Sequence, residues 1–222
     1  MGTSNTTSNT TLYGVGLSPF VRKVMLALEH LEIDYQSTPT FPGDQSQDFR
    51  RISPLGKIPA LDHDGFTVSD SSVICRYLSR LARGRLYPDD AQDEARACWL
   101  EEFADSKLVE ACAGLFQERL LKPKMLNEPT DENRIQQIVE EQLPDLLRYL
   151  ERVTPDSGYL VGDLLSVADI SVVTCFIQAR YGQYEVDGQA YPRLRAYLDR
   201  LLAEPLFVNR MASEQANMPP GL

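Results

Sequence analysis

The sequence predicts an α/β domain followed by an all-helical domain. Strand-like and helix-like patterns alternate as β-α-β and then β-β-α up to about residue 81. From Ala91 onward the spacing is helical and no convincing strand remains. The charge divides at the same place. Residues 1–84 carry eight Lys/Arg and eight Asp/Glu, so the whole net charge of −10 lies in the helical half.

The expected organisation is a disordered tail over 1–10, an α/β domain over 11–84, a linker over 85–92 and a helical domain over 93–222. The tail is Thr, Ser and Asn, with neither the basic nor the apolar segment of a signal peptide. Thr11 to Val15 is apolar and short, as in a buried strand. Two glycines end it, then Ser18 and Pro19 precede apolar residues at Val21, Val24, Met25 and Leu28. That spacing is one face of a helix, with serine at the N-cap and proline at the first turn. A hydroxyl thus stands at a helix mouth, where unpaired N–H groups and the dipole favour an anion such as a thiolate. Ser18 is read either as a cap alone or as such a site. Arg22 and Lys23 add positive charge one turn on, and Arg22 is read either as part of the site or as exposed.

Ile33 to Thr38 is the second expected strand. Asp44 to Ile52 is polar and weakly patterned, a short helix or loop. In Ser53-Pro54-Leu55-Gly56-Lys57-Ile58-Pro59 a proline stands just before the strand at Ala60-Leu61; a cis bond there turns the Ile58 backbone outward toward an extended ligand. Asp64-Gly65 predicts a hairpin into Phe66-Thr67-Val68. Ser69 to Ser72 opens a helix expected to bury Val73, Ile74, Tyr77, Leu78 and Leu81. Asp70 and Ser71 either cap it or meet a ligand carrying an ammonium and a carboxylate.

In the helical half, Asp93 to Leu121 is one long helix and Lys122 to Pro129 an irregular connection. Glu132 to Val153 is a second helix bent near Pro144. Ser166 with Asp169 is close to a capping box, assigned to folding, and the apolar run from Ile170 to Ile177 predicts a buried central helix. Pro192 to Leu202 is a further helix, and Ser213 to Leu222 a loose tail.

An acidic chain argues against nucleic acid or an anionic membrane as partner, and no apolar run approaches the roughly 20 residues that span a bilayer. Cys75, Cys98, Cys112 and Cys175 have no C-x-x-C spacing and only two histidines accompany them. Reduced core cysteines in a cytoplasmic protein are expected, with no metal.

Taken together, Ser18-Pro19-Phe20, Lys57-Ile58-Pro59, Asp70-Ser71 and Ser166-x-x-Asp169 resemble, in this order, motifs of the cytosolic glutathione transferase family, the first as in its serine-type, tau-like and related classes. The resemblance covers nearly the whole chain after residue 10. It implies a thioredoxin-like N-terminal domain, a helical C-terminal domain, a homodimer, and glutathione as co-substrate. Ser18 would donate to the glutathione sulfur and favour its thiolate. Phe20 beside it and Pro59 would belong to the same glutathione-binding site, and Ile58 would pair through its backbone with the cysteinyl part. Asp70 and Ser71 would hold the γ-glutamyl end, and Lys57 the glycine carboxylate. The tau-like classes usually carry a second lysine in the irregular segment; Gln45 stands there and offers a hydrogen bond without charge. Tyr13 is a competing sulfur donor.

Family members with cysteine at the Ser18 position resemble enzymes that form mixed disulfides, which serine cannot do. The expected activity is therefore addition of glutathione to small hydrophobic electrophiles, with glutathione-dependent peroxide reduction as a further capacity. The electrophile is expected between the domains, near Phe20 and, by position only, Phe103, Leu108 and Phe116. The alternative is a non-catalytic binding or assembly module of the same fold.

Overall fold

The computed structural model describes residues 9–82 and 86–218. The expected tail thus lies outside the described residues up to residue 8, as do the last two residues of the expected α/β domain (83 and 84), residue 85 of the expected linker and the last four residues. The chain divides into two compact units, Met1–Arg83 and Gly84–Leu222.

The first unit runs β1 (Thr10–Tyr13), α1 (Pro19–His30), β2 (Gln36–Thr38), α2 (Gln47–Ile52), β3 (Ala60–His63), β4 (Phe66–Ser69) and α3 (Ser71–Leu81). Its sheet order is β2-β1-β3-β4. β1 pairs parallel with β2 and antiparallel with β3, and β3 pairs antiparallel with β4. Thr10 is already in β1 and almost wholly buried, because alternate side chains of a strand share a face and Thr10 lies on that of Leu12. β2 is only three residues, all exposed. The apolar start expected at Ile33 is instead a turn closed by the Ile33 N–H on the Leu28 carbonyl at 2.9 Å.

α1 packs against α3, and α2 against β3 and β4. Val21 to Leu28 of α1 are all buried, including Arg22 and Lys23, neither of which is exposed at all. In α3 the buried face is Ser71, Ile74, Cys75, Leu78 and Ser79. Val73 and Leu81, expected inward, are 51% and 46% exposed. Two apolar stripes fit one helix of this length, and the sheet takes the one through Ile74 and Leu78.

The second unit contains α4 (Ala91–Phe103), α5 (Val109–Phe116), α6 (Glu132–Gln137), α7 (Leu143–Val153), α8 (Val167–Tyr181), α9 (Pro192–Leu202) and α10 (Pro205–Ala216). α4 and α5 are one path joined by a π-helical stretch, Ala104–Leu108, and a second such stretch, Gln117–Leu126, continues it past Pro123. The irregular connection expected from Lys122 therefore begins only at Asn127, whose left-handed backbone (φ 54°) ends the helix. The bend expected near Pro144 takes the form of a third wide stretch, Ile138–Gln142, with Pro144 in the first turn of α7. A proline ring displaces the carbonyl one turn back, and a wider turn accommodates it.

α8 is the centre of this unit: every residue from Val167 to Ala179 is buried, and both α4 and α5 pack on it. Its start is built on the Asp169 carboxylate. The backbone N–H and hydroxyl of Ser166 donate to one oxygen at 2.9 and 3.0 Å, and the Leu160 N–H and Tyr197 hydroxyl donate to the other at 2.8 Å each. Burial pushes the Asp169 carboxyl up, and these four donors oppose that rise. The tail expected from Ser213 is helical as far as Ala216, because α10 turns Phe207, Arg210 and Glu214 inward.

Candidate active site

Three segments expected to carry function leave the sheet at one end. Tyr13 is in register with Ala60, and Ala60 with Ser69. The last residue of β1, the first of β3 and the last of β4 therefore lie side by side. From that end depart the turn to Ser18, the loop through Lys57-Ile58-Pro59, and Asp70-Ser71.

The turn to Ser18 depends on Gly14. Its backbone (φ 153°) passes so close to α1 that a Cβ there would stand 2.5 Å from Val21 Cγ2. The Ser18 N–H then closes on the Val15 carbonyl at 3.0 Å, and Ser18 is the N-cap of α1 with extended backbone (φ −72°, ψ 127°). Its side chain makes no capping hydrogen bond, and the first turn of α1 holds no acidic residue. The half-buried hydroxyl and the first amides of α1 are thus available to an anion, with no carboxylate in that turn to offset the helix dipole.

Asp70 caps α3, with one carboxylate oxygen accepting from the Ser72 and Val73 N–H groups at 3.0 and 3.1 Å. Its backbone sits at φ 84°, uncommon for any residue but glycine, and its side chain is exposed. Ser71 beside it is buried. The Ile58-Pro59 bond is cis, and among the described residues the Ile58 N–H and carbonyl enter no backbone hydrogen bond. The loop before it is shaped by the buried Ser53, whose hydroxyl donates to the Lys57 carbonyl at 2.7 Å and accepts from the Lys57 N–H at 3.1 Å. In the sequence, Ser53 shows only as a serine four residues before Lys57. The Lys57 residue is exposed.

Gln45 is exposed in the segment before α2. Its Nε2 donates to the Gly43 carbonyl at 2.9 Å and its Oε1 accepts from Arg50 Nη2 at 2.8 Å, so one end of the amide is engaged within its own loop and the other by α2. Phe20 is half-buried in the first turn of α1. Tyr13 packs its ring on Phe49 of α2, centroids 6.2 Å apart. In the second unit Leu108 has no exposed surface and Phe116 very little. Phe103 is half-buried against Tyr149, centroids 4.7 Å apart, with Trp99 beyond.

A sheet of order β2-β1-β3-β4 with a cis-proline before β3 and an open helix mouth after β1 defines a thioredoxin-like domain, here followed by a helical one. Family models match both parts: Glutathione S-transferase, N-terminal domain, over residues 12–86, and Glutathione S-transferase, C-terminal domain, over 116–209. A maize (Zea mays) protein named glutathione S-transferase 4 is 31% identical over 208 residues, covering 87% of this chain and 88% of its own. A rice (Oryza sativa subsp. japonica) protein named probable glutathione S-transferase GSTF2 is 30% identical over 203 residues, covering 87% and 92%. A solved glutathione S-transferase I bound to lactoylglutathione superposes with a TM-score of 0.82 at 25% identity, covering 92% of this chain and 99% of its own. Human glutathione S-transferase T1-1 shares the fold, with a TM-score of 0.82 at 24% identity over 96% and 92%. This chain belongs to the glutathione S-transferase family.

Proposed function

We propose that this chain binds glutathione at the shared end of the first unit's sheet, ionises its thiol against Ser18 and adds the thiolate to small hydrophobic electrophiles. The observation that carries this reading is the Ser18 hydroxyl, free of any capping role at the mouth of a helix whose first turn lacks an acid. The thiol proton leaves to solvent. The remaining S⁻ accepts from the Ser18 hydroxyl, and both that bond and the helix dipole favour the charged form. The Ile58 backbone pairs with the cysteinyl residue, Asp70 meets the γ-glutamyl ammonium with Ser71 beside its carboxylate, and Lys57 faces the glycine carboxylate. The same thiolate reduces organic hydroperoxides. Serine at this position argues against mixed-disulfide chemistry.

A homodimer in the cytoplasm completes the reading. Val73, Tyr77 and Leu81 form an apolar stripe along α3, and Phe66 of β4 stacks on Tyr77 at 4.9 Å. Phe66 is 52% exposed, and such a patch is suited to a second copy. The four cysteines are free thiols, as in a reducing compartment. Among the described residues no helix is long and apolar enough to cross a membrane.

The test is turnover of a generic aryl halide with glutathione. Wild type turns over, and Ser18→Ala lowers kcat/KM by about a hundredfold or more, as loss of a hydrogen-bond donor to a reacting anion does elsewhere. Retention on immobilised glutathione without any turnover would instead favour the binding module.

A further inference from the structure

The loops that carry Gln45 on one side and Lys57-Ile58 on the other meet at one guanidinium. Arg50, on α2, donates from Nη2 to Gln45 Oε1 at 2.8 Å and from Nη1 to the Pro54 carbonyl at 2.7 Å. Gly56 makes room for it. A Cβ at Gly56 would lie 3.0 Å from Arg50 Cζ and 3.2 Å from Nη1, and the Gly56 backbone is left-handed (φ 64°). Beside this contact the Gly43 N–H donates to the Gly56 carbonyl at 2.9 Å. The buried anchor of α2 is Phe49; Arg50 itself is only half-buried and its two hydrogen bonds are solvent-exposed. Its ties run along the loops, not into the core.

We propose that Arg50 is a positioning residue for the glutathione site. Its planar fork holds the 43–46 segment against the 53–57 segment, and so presets the Lys57 and Ile58 contacts before glutathione arrives. Gln45 acts through this clamp and not as a contact to the tripeptide. Hydrogen bonds from Ser46 lower the neighbouring Asp44 carboxyl, and the Arg50 charge lowers it further. Both hydrogen-bond acceptors of Arg50, however, are neutral oxygens set in two directions, a geometry that a rigid planar fork meets with less loss of freedom than a flexible ammonium. Preordered loops bind more tightly because less freedom is lost on binding. This inference rests on the glutathione reading above.

The experiment is calorimetric titration with glutathione, together with steady-state kinetics, on wild type, Arg50→Ala, Arg50→Lys, Gln45→Ala and the Arg50→Ala/Gln45→Ala double variant. Both Arg50 variants are expected to weaken glutathione binding by about fivefold to tenfold, the scale of one or two exposed hydrogen bonds. At saturating glutathione their kcat stays within about twofold of wild type, so the loss appears in KM, a split that general destabilisation does not produce. Gln45→Ala weakens binding less, and adds nothing in the Arg50→Ala background, as expected for two members of one contact. The inference is overturned if Arg50→Lys binds glutathione like wild type, or if Gln45→Ala weakens binding further in the absence of Arg50. Failure of wild type itself to bind glutathione would overturn the underlying reading, and is told apart by the wild-type titration alone.

Discussion

The Lys23 ammonium donates to the Ser72 hydroxyl at 3.0 Å and so ties the second turn of α1 to the first turn of α3. Lys23 is fully buried, so this bond forms in the packing between the two helices whose mouths carry Ser18 and Asp70. The distance between the thiolate end and the γ-glutamyl end of the proposed site is held partly by this contact.

Ser72→Ala takes one acceptor from a buried charge. Such a loss costs about 1–2 kcal/mol. Urea unfolding should show a lower midpoint at an unchanged slope.

Asp70→Asn separates the proposed ligand role from the cap. Asparagine caps a helix as well as aspartate does and tolerates the left-handed backbone seen at φ 84°. Stability should stay within about 0.5 kcal/mol. Glutathione affinity, measured by calorimetry, should fall on the order of tenfold, because the charge proposed to face the γ-glutamyl ammonium is gone.

Gly182→Ala tests the core of the helical unit. A Cβ at Gly182 would lie 2.7 Å from both the Leu115 carbonyl carbon and the Phe116 nitrogen. These are backbone atoms that cannot rotate away, so α8 must move off α5. The expected cost is about 1–3 kcal/mol, read as a lower thermal midpoint.

Asp169→Ala removes the acceptor of four hydrogen bonds, two of them from backbone N–H groups of Leu160 and Ser166. The expected loss is about 3 kcal/mol or more by denaturant unfolding. Because Asp169 belongs to folding, material that remains folded should keep its KM for glutathione.

Much of this was legible in the sequence because it is local. The helix mouth at Ser18-Pro19, the proline before β3, the Asp64-Gly65 hairpin and the Ser166–Asp169 pair each show as residue types at a fixed spacing. What was not legible depends on tertiary context. Burial of Arg22 and Lys23 runs against the usual placement of charge, and only packing between helices shows it. The outward turn of Val73 and Leu81 reflects which of two stripes meets the sheet. α10 was hidden because its inward residues, Phe207, Arg210 and Glu214, do not form an apolar stripe: two of the three are charged. The Gln45–Arg50 contact needs a loop to bring an amide to a guanidinium five residues on, which no periodicity announces.

Ser18 and the mouth of α1 are proposed to ionise bound glutathione. This role is tested most directly by thiolate absorbance against pH for the glutathione complexes of wild type and Ser18→Ala. The bound thiol is expected to titrate well below the usual value of about 8.5 in wild type and to return toward it in the variant. An identical titration in the two proteins would move the thiolate-stabilising role away from Ser18.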